Sequence, residues 1–137
     1  MRSVNDNILA SIAVAPIAAS SVQTSAALDT KGYNSVQFVV MNGAATGTPS
    51  SYTVDAKVQE CATSGGSYTD VTGATITQMT ADGKTQTIAV EGLGTTRLRY
   101  LKLLITPAMT GGTSPKALVA GLANFGRAYV LPVSNTN

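Results

Sequence analysis

Residues 52–60 alternate strictly, with Tyr52, Val54, Ala56 and Val58 interleaved with Thr53, Asp55, Lys57 and Gln59. A side-chain period of two puts each set on its own face, which predicts a half-buried antiparallel strand. Upstream, Val36, Phe38 and Val40 alternate with Gln37, Val39 and Met41. Both sets are largely apolar there, so that strand is expected to be central and covered on both sides. The stretch between them, NGAATGTPSS over residues 42–51, has too little apolar area for a core and is predicted as a loop. Ser64-Gly65-Gly66-Ser67 supplies a turn before a strand at 68–71. Asp82-Gly83 is expected to close a hairpin between strands at 75–80 and 85–90.

Residues 97–106 (RLRYLKLLIT) are long enough for a strand and rich in Leu and Ile. A Gly-rich turn before them and Thr-Pro after them favour a buried strand over a helix, with Pro107 stopping it because proline cannot donate to a ladder. Residues 117–133 pass Gly121 and Gly126 and read as one long bent strand or two, glycine permitting a bulge or the close approach of a neighbouring chain. No segment has helical periodicity beyond a short turn near 109–115. Seven or eight strands at this spacing predict an all-β fold, an antiparallel β-sandwich of jelly-roll type.

Before these strands, residues 8–19 (ILASIAVAPIAA) form an apolar run. It is too short and too broken for a membrane span, which needs about 20 apolar residues. A secretion signal fits poorly, because Asp6 sits in its leader and Pro16 interrupts it. The run is therefore read as an extended N-terminal arm, residues 1–19, ahead of a single sandwich domain, residues 20–137. Ile8, Leu9, Ile12, Val14 and Ile17 are its candidate subunit-contact residues.

Composition sharpens this picture. Only 12% of the 137 residues are charged, about half the usual share for a soluble domain. Such a surface is poorly protected against association and suits a subunit whose faces are covered by neighbours. The net charge of +2 is scattered, with no basic run for nucleic acid or a membrane. Arg97 and Arg99 are expected on one strand face and Lys102 on the other, a solvated arrangement.

Reactive groups are sparse. There is no histidine, hence no usual general base or metal ligand. The carboxylates Asp6, Asp29, Asp55, Glu60, Asp70, Asp82 and Glu91 show no close pair in sequence. Cys61 has no partner for an internal disulfide and is expected to pack as a small hydrophobe. Gly92-Leu93-Gly94 is followed by no Lys-Ser/Thr and reads as a turn rather than a phosphate loop. Asp29, ahead of Gly32, is expected to bond its own backbone. The expectation is a chain with no catalytic site, no cofactor and no metal.

Three stretches add a resemblance: Ser25-Ala26-Ala27-Leu28-Asp29-Thr30-Lys31-Gly32-Tyr33-Asn34-Ser35-Val36-Gln37-Phe38, then Ser64-Gly65-Gly66-Ser67-Tyr68-Thr69-Asp70-Val71, then Arg99-Tyr100-Leu101-Lys102-Leu103. Together they resemble a group of small structural proteins of tailed bacteriophages, with a D-x-x-G-Y-x-S turn, a G-x-Y-T-D-V hairpin and an R-Y-L-K/R-L strand. The resemblance spans residues 20–106 loosely, and the apolar run before Ser20 departs from it. It implies a jelly-roll sandwich that decorates the capsid as a cement protein, with neck or tail placement as the alternative. The implied partners are the phage major capsid protein and further copies of the chain, a trimer being expected from closed symmetry. No direct nucleic-acid or membrane contact is implied. The implied location is the capsid surface of the virion, after assembly in the host cytoplasm. The rival reading is a carbohydrate-binding or adhesin-like sandwich, which needs exposed aromatics; there is no Trp, and Tyr52, Tyr100 and Phe38 fall at expected core positions.

Overall fold

A computed structural model describes residues 3–128. A single helical turn, α1 (Val4–Asn7), is capped by Ser3, whose side chain and Asp6 bond each other's backbone N–H groups. The strands follow as β1 (Ile8–Ala19), β2 (Gln23–Thr24), β3 (Leu28–Asp29), β4 (Tyr33–Asn42), β5 (Ser51–Cys61), β6 (Thr69–Thr75), β7 (Thr85–Glu91), β8 (Tyr100–Thr110) and β9 (Ala117–Ala128). One sheet runs β1-β9-β4-β7 and the other β2-β8-β5-β6, with β3 also pairing β8. With β2 and β3 taken as halves of one interrupted strand, this is the eight-strand order of a jelly roll. The expected all-β sandwich is therefore the observed one.

The core lies between the sheets. Val36, Phe38 and Val40 of β4, Ile88 and Val90 of β7 and Phe125 of β9 meet Val54 and Val58 of β5 and Leu101, Leu103 and Ile105 of β8. The alternation read in β5 holds, with Val54, Ala56 and Val58 buried. Gly121 marks a close approach of the two layers: a Cβ there would lie 2.5 Å from Leu103 Cδ2. The neighbour that this glycine admits is thus the opposing sheet of the same chain, and β9 runs unbroken through it. Of the expected 117–133 segment, residues 129–133 lie outside the described residues.

Several expectations need correction. Asp82-Gly83 does not close a hairpin, because β7 pairs with β4 while β6 pairs with β5 in the other sheet. The turn instead carries the chain from one sheet to the other. Buried Asn42 fixes it, donating to Ala81 O at 2.9 Å and accepting from Lys84 N at 2.7 Å. The Tyr52 hydroxyl donates to Asp82. Burial first, then that bond, pushes the Tyr52 pKa up to about 12.

Pro107 does not stop β8, which continues to Thr110. Val54, opposite Pro107, directs both its N–H and its C=O to Met79, at 2.9 and 3.0 Å. Pro107 therefore occupies a non-hydrogen-bonded pair, and its nitrogen faces the side where β2 ends at Ile105. No ladder bond is lost. β4 is covered on one face only, since Val39 and Met41 are half-buried on the outer side. No described strand packs over that side of the four-stranded sheet.

The apolar run expected as an arm outside the sandwich is its edge strand. β1 pairs antiparallel with β9 from Ile8↔Gly126 to Ala19↔Ala117. Val14 and Ala19 are buried and Leu9 packs against the core. Boundaries of 1–19 and 20–137 therefore cut through one cooperative unit, because β9 needs β1 to complete its ladder.

Candidate functional site

The five residues read as a contact arm divide by where the strand and its register slips put them. Leu9 and Val14 face inward and belong to the sandwich. Ile8, Ile12 and Ile17 are exposed, Ile12 by 63%. The β1–β9 and β4–β9 registers place Ile12 beside Leu122 and Leu122 beside Val39, with Ala120 beside Met41 one pair further on. Val4 of α1 and Leu118 of β9 are also exposed. The result is an apolar band across the outer face of the four-stranded sheet. The outward positions Ile8, Ala10 and Ile12 on β1, Leu118 to Gly126 on β9 and Ser35 to Met41 on β4 carry no charge. Where β4 ends, the band deepens into an open groove of about 530 Å³ lined by Pro16, Ile17, Met41 and Leu118, with Lys84 and Thr85 on its β7 side.

The outer face of the other sheet has the opposite character. There Lys57 pairs with Asp70 at 2.9 Å, Gln59 donates to Asp70 at 2.7 Å and Gln78 donates to Asp55 at 2.8 Å. The Lys102 ammonium lies 4.3 Å from the Tyr68 ring centroid. Such a face is at ease in water. The two outer faces thus differ in polarity, the uncharged band lying on the four-stranded sheet.

β1 is less suited to docking by its edge than by its face. Its register with β9 slips between Ile12 and Val14 and again between Val14 and Ile17, and Pro16 follows in the second slip. Bulges and proline twist and blunt an edge strand.

Residues that looked distinctive in sequence prove to be structural. Asp29 Oδ1 accepts the Lys31 N–H at 3.0 Å, the expected Asx turn. The same carboxylate also takes a two-pronged bond from Arg99 at 2.8 and 2.7 Å, a pairing across 70 positions that sequence reading missed. That bond above all holds the Asp29 carboxyl below the usual 3.8; burial opposes it, and the backbone bond and the nearby positive charges add to it. Thr30 is buried and bonds Arg99 O through both its N–H and its hydroxyl. Buried Ser25 accepts the Leu103 N–H at 3.0 Å and spans the gap between β2 and β3. Arg97 and Arg99 precede β8 rather than sharing a face of it, and Arg97 pairs with Glu60 at 3.5 Å.

Cys61 is buried, and the Gly92 carbonyl accepts the N–H groups of Thr95, Thr96 and Arg97 in a tight turn over fully buried Leu93. Among the described residues there is no group of His, Cys, Asp and Glu that could hold a metal ion. Nor is any described helix long and apolar enough to cross a membrane.

With this geometry in view, comparison with known proteins adds one thing. No family model matches the sequence, and no curated protein sequence matches it. Among solved structures, PBSX exported protein XepA superposes over 94% of this chain with a TM-score of 0.59 at 14% identity. The likeness is one of fold. The chain spans only 40% of that protein's length. SPBc2 prophage-derived protein YomS matches 90% of this chain and 98% of its own at 10% identity, with a TM-score of 0.47. A Clostridium thermocellum xylanase 10B fragment holding CBM22-1 and GH10 modules matches 99% of this chain and 27% of its own, at 14% identity and a TM-score of 0.46.

Proposed function

We propose that this chain is a non-catalytic structural protein of a phage virion, a decoration subunit that binds and stabilises the assembled head. One observation carries the reading: an uncharged apolar band from Ile12 through Leu122 to Val39 and Met41 on the outer face of one sheet, while the outer face of the other is polar, with the Lys57–Asp70 ion pair and Gln59 and Gln78 bonded to carboxylates. The phage resemblance of the sequence motifs, together with the fold shared with the phage-derived XepA, favours a virion setting for that contact. The partners are the major capsid protein and further copies of the chain.

Cementing follows from linkage. A subunit that binds only the assembled shell stabilises it by RT ln(1 + [L]/Kd) per site, about 2.7 kcal/mol when free subunit is a hundredfold above Kd. Repetition over a shell multiplies this. A carbohydrate-binding role finds no bare aromatic among the described residues: Phe38 is fully buried, the Tyr33 ring packs on Phe125, and Tyr68 and Tyr100, half-buried rather than in the core where Tyr100 was expected, have Lys102 and Arg99 over their rings.

An electron-microscopy map of the native particle tests the assignment. Density for the sandwich on the outer shell, with the β1-β9-β4 face turned toward capsid protein, is expected. Density only at the neck or along the tail would overturn decoration, and absence from the particle would overturn the virion reading as well.

A further inference from the structure

The opposite end of the sandwich holds a second concavity of different chemistry. A pocket of about 480 Å³ opens where β4 begins, lined by residues 30–33, Ala62 and residues from the 94–99 stretch. β4 has ten residues, so about 30 Å separates this pocket from the groove at Met41. The two are independent, and one does not rest on the other.

The pocket combines an apolar wall with excess positive charge. Tyr33, Ala62 and Leu98 supply the wall, and Leu98 is 43% exposed although large and aliphatic. Lys31, Arg97 and Arg99 stand around it, against the two carboxylates Asp29 and Glu60. Arg99 is committed, gripping both Asp29 oxygens. Arg97 is held loosely at 3.5 Å by Glu60, whose other oxygen accepts the Leu98 N–H at 3.0 Å. Among the described residues the Lys31 ammonium forms no ion pair.

Several ligand classes fit poorly. A single excess charge is too little for a nucleic-acid backbone, whose binding scales with the number of phosphates neutralised. A sugar ring or a base needs a bare aromatic face, and the Tyr33 ring is packed on Phe125 at 5.2 Å between centroids. A free phosphate would leave the apolar wall uncovered. A carboxylate beside an aliphatic side chain satisfies both halves of the site. We propose that this end pocket binds an acidic peptide segment of a partner protein, its carboxylate taken by Lys31 and Arg97 and a neighbouring apolar side chain laid against Leu98 and Tyr33.

The test is an NMR titration of the full chain with a capped peptide of sequence Gly-Leu-Glu-Leu-Glu-Gly, with the Lys-for-Glu peptide and inorganic phosphate as separate arms. Saturable shifts at the amides of residues 30–33 and 94–99 are expected from the acidic peptide alone. Lys31→Gln should weaken binding about fivefold, the loss of one partly exposed charge pair. Leu98→Ser should weaken it at least as much. Lys31 is exposed and its ammonium holds no other element in place, so an unchanged spectrum of the free Lys31→Gln variant separates lost binding from lost fold. Equal shifts from the Lys peptide or from phosphate, no shifts from any arm, or unchanged affinity in both variants would each overturn the proposal.

Discussion

Asn42 looks like a loop residue in sequence, yet it is one of the few polar side chains shut inside the sandwich. Its amide satisfies Ala81 O and Lys84 N at the point where the chain leaves one sheet for the other. Replacement by alanine strands both groups, so Asn42→Ala should cost about 2–3 kcal/mol in urea unfolding; a loss under half that would show that water takes over. The Arg99–Asp29 pair gives a pH prediction with a definite sign. Asp29 is a stronger acid folded than unfolded, so its contribution is complete above the ordinary carboxylate value and fades as pH falls through the lowered folded value. Between about pH 5 and pH 2, wild type should therefore lose more stability than Arg99→Gln. Parallel acid limbs in denaturant melts at several pH values would contradict that.

Among the elements, strands are legible where alternation is strong, and their partners are not. β5 and β4 announce themselves because Val54, Ala56, Val58 and Val36, Phe38, Val40 must share a face. Pairing is decided elsewhere: Asp82-Gly83 has hairpin chemistry, but Ile88 and Val90 are buried beside Val36 and Phe38 only by joining the other sheet. Pro107 misleads because whether a proline breaks a ladder depends on which side its nitrogen faces, and only the register with Val54 fixes that. The run 8–19 misleads because its apolar residues follow no simple period. A register slip between Ile12 and Val14 puts Val14 inward soon after Ile12 points outward, and a second slip follows before Ile17. This changes what a truncation does. Deleting residues 1–19 should unfold or aggregate the protein by baring β9, seen as lost cooperative melting in circular dichroism. A truncated chain that melts like wild type would mean that β1 is a detachable arm after all. At the close contact between layers, Gly121→Val should cost about 2–3 kcal/mol, because Leu103 and Ile105 are fully enclosed and yield only with strain. A Gly121→Val variant with an unchanged thermal midpoint would place the layers further apart than described.

The whole molecule is a two-faced slab, with an uncharged apolar band over β1, β9 and the end of β4 on one outer face and a polar face with the Lys57–Asp70 pair on the other. Low charge in the sequence points to a surface meant for neighbours, but composition cannot say which surface. That takes the registers of β1, β9 and β4, which set Ile12, Leu122 and Val39 side by side although they are scattered along the chain. The central claim is that this face seats the protein on an assembled shell. Co-sedimentation of purified wild type and Ile12→Lys with assembled shells of the phage tests it most directly. Ile12 is already exposed, so the variant should melt within about 2 °C of wild type, as surface substitutions do. The account predicts saturable pelleting of wild type with shells, none with unassembled capsid protein, and binding at least tenfold weaker for Ile12→Lys, about 1.4 kcal/mol. Wild type left in the supernatant, or a variant that pellets equally well, would contradict it.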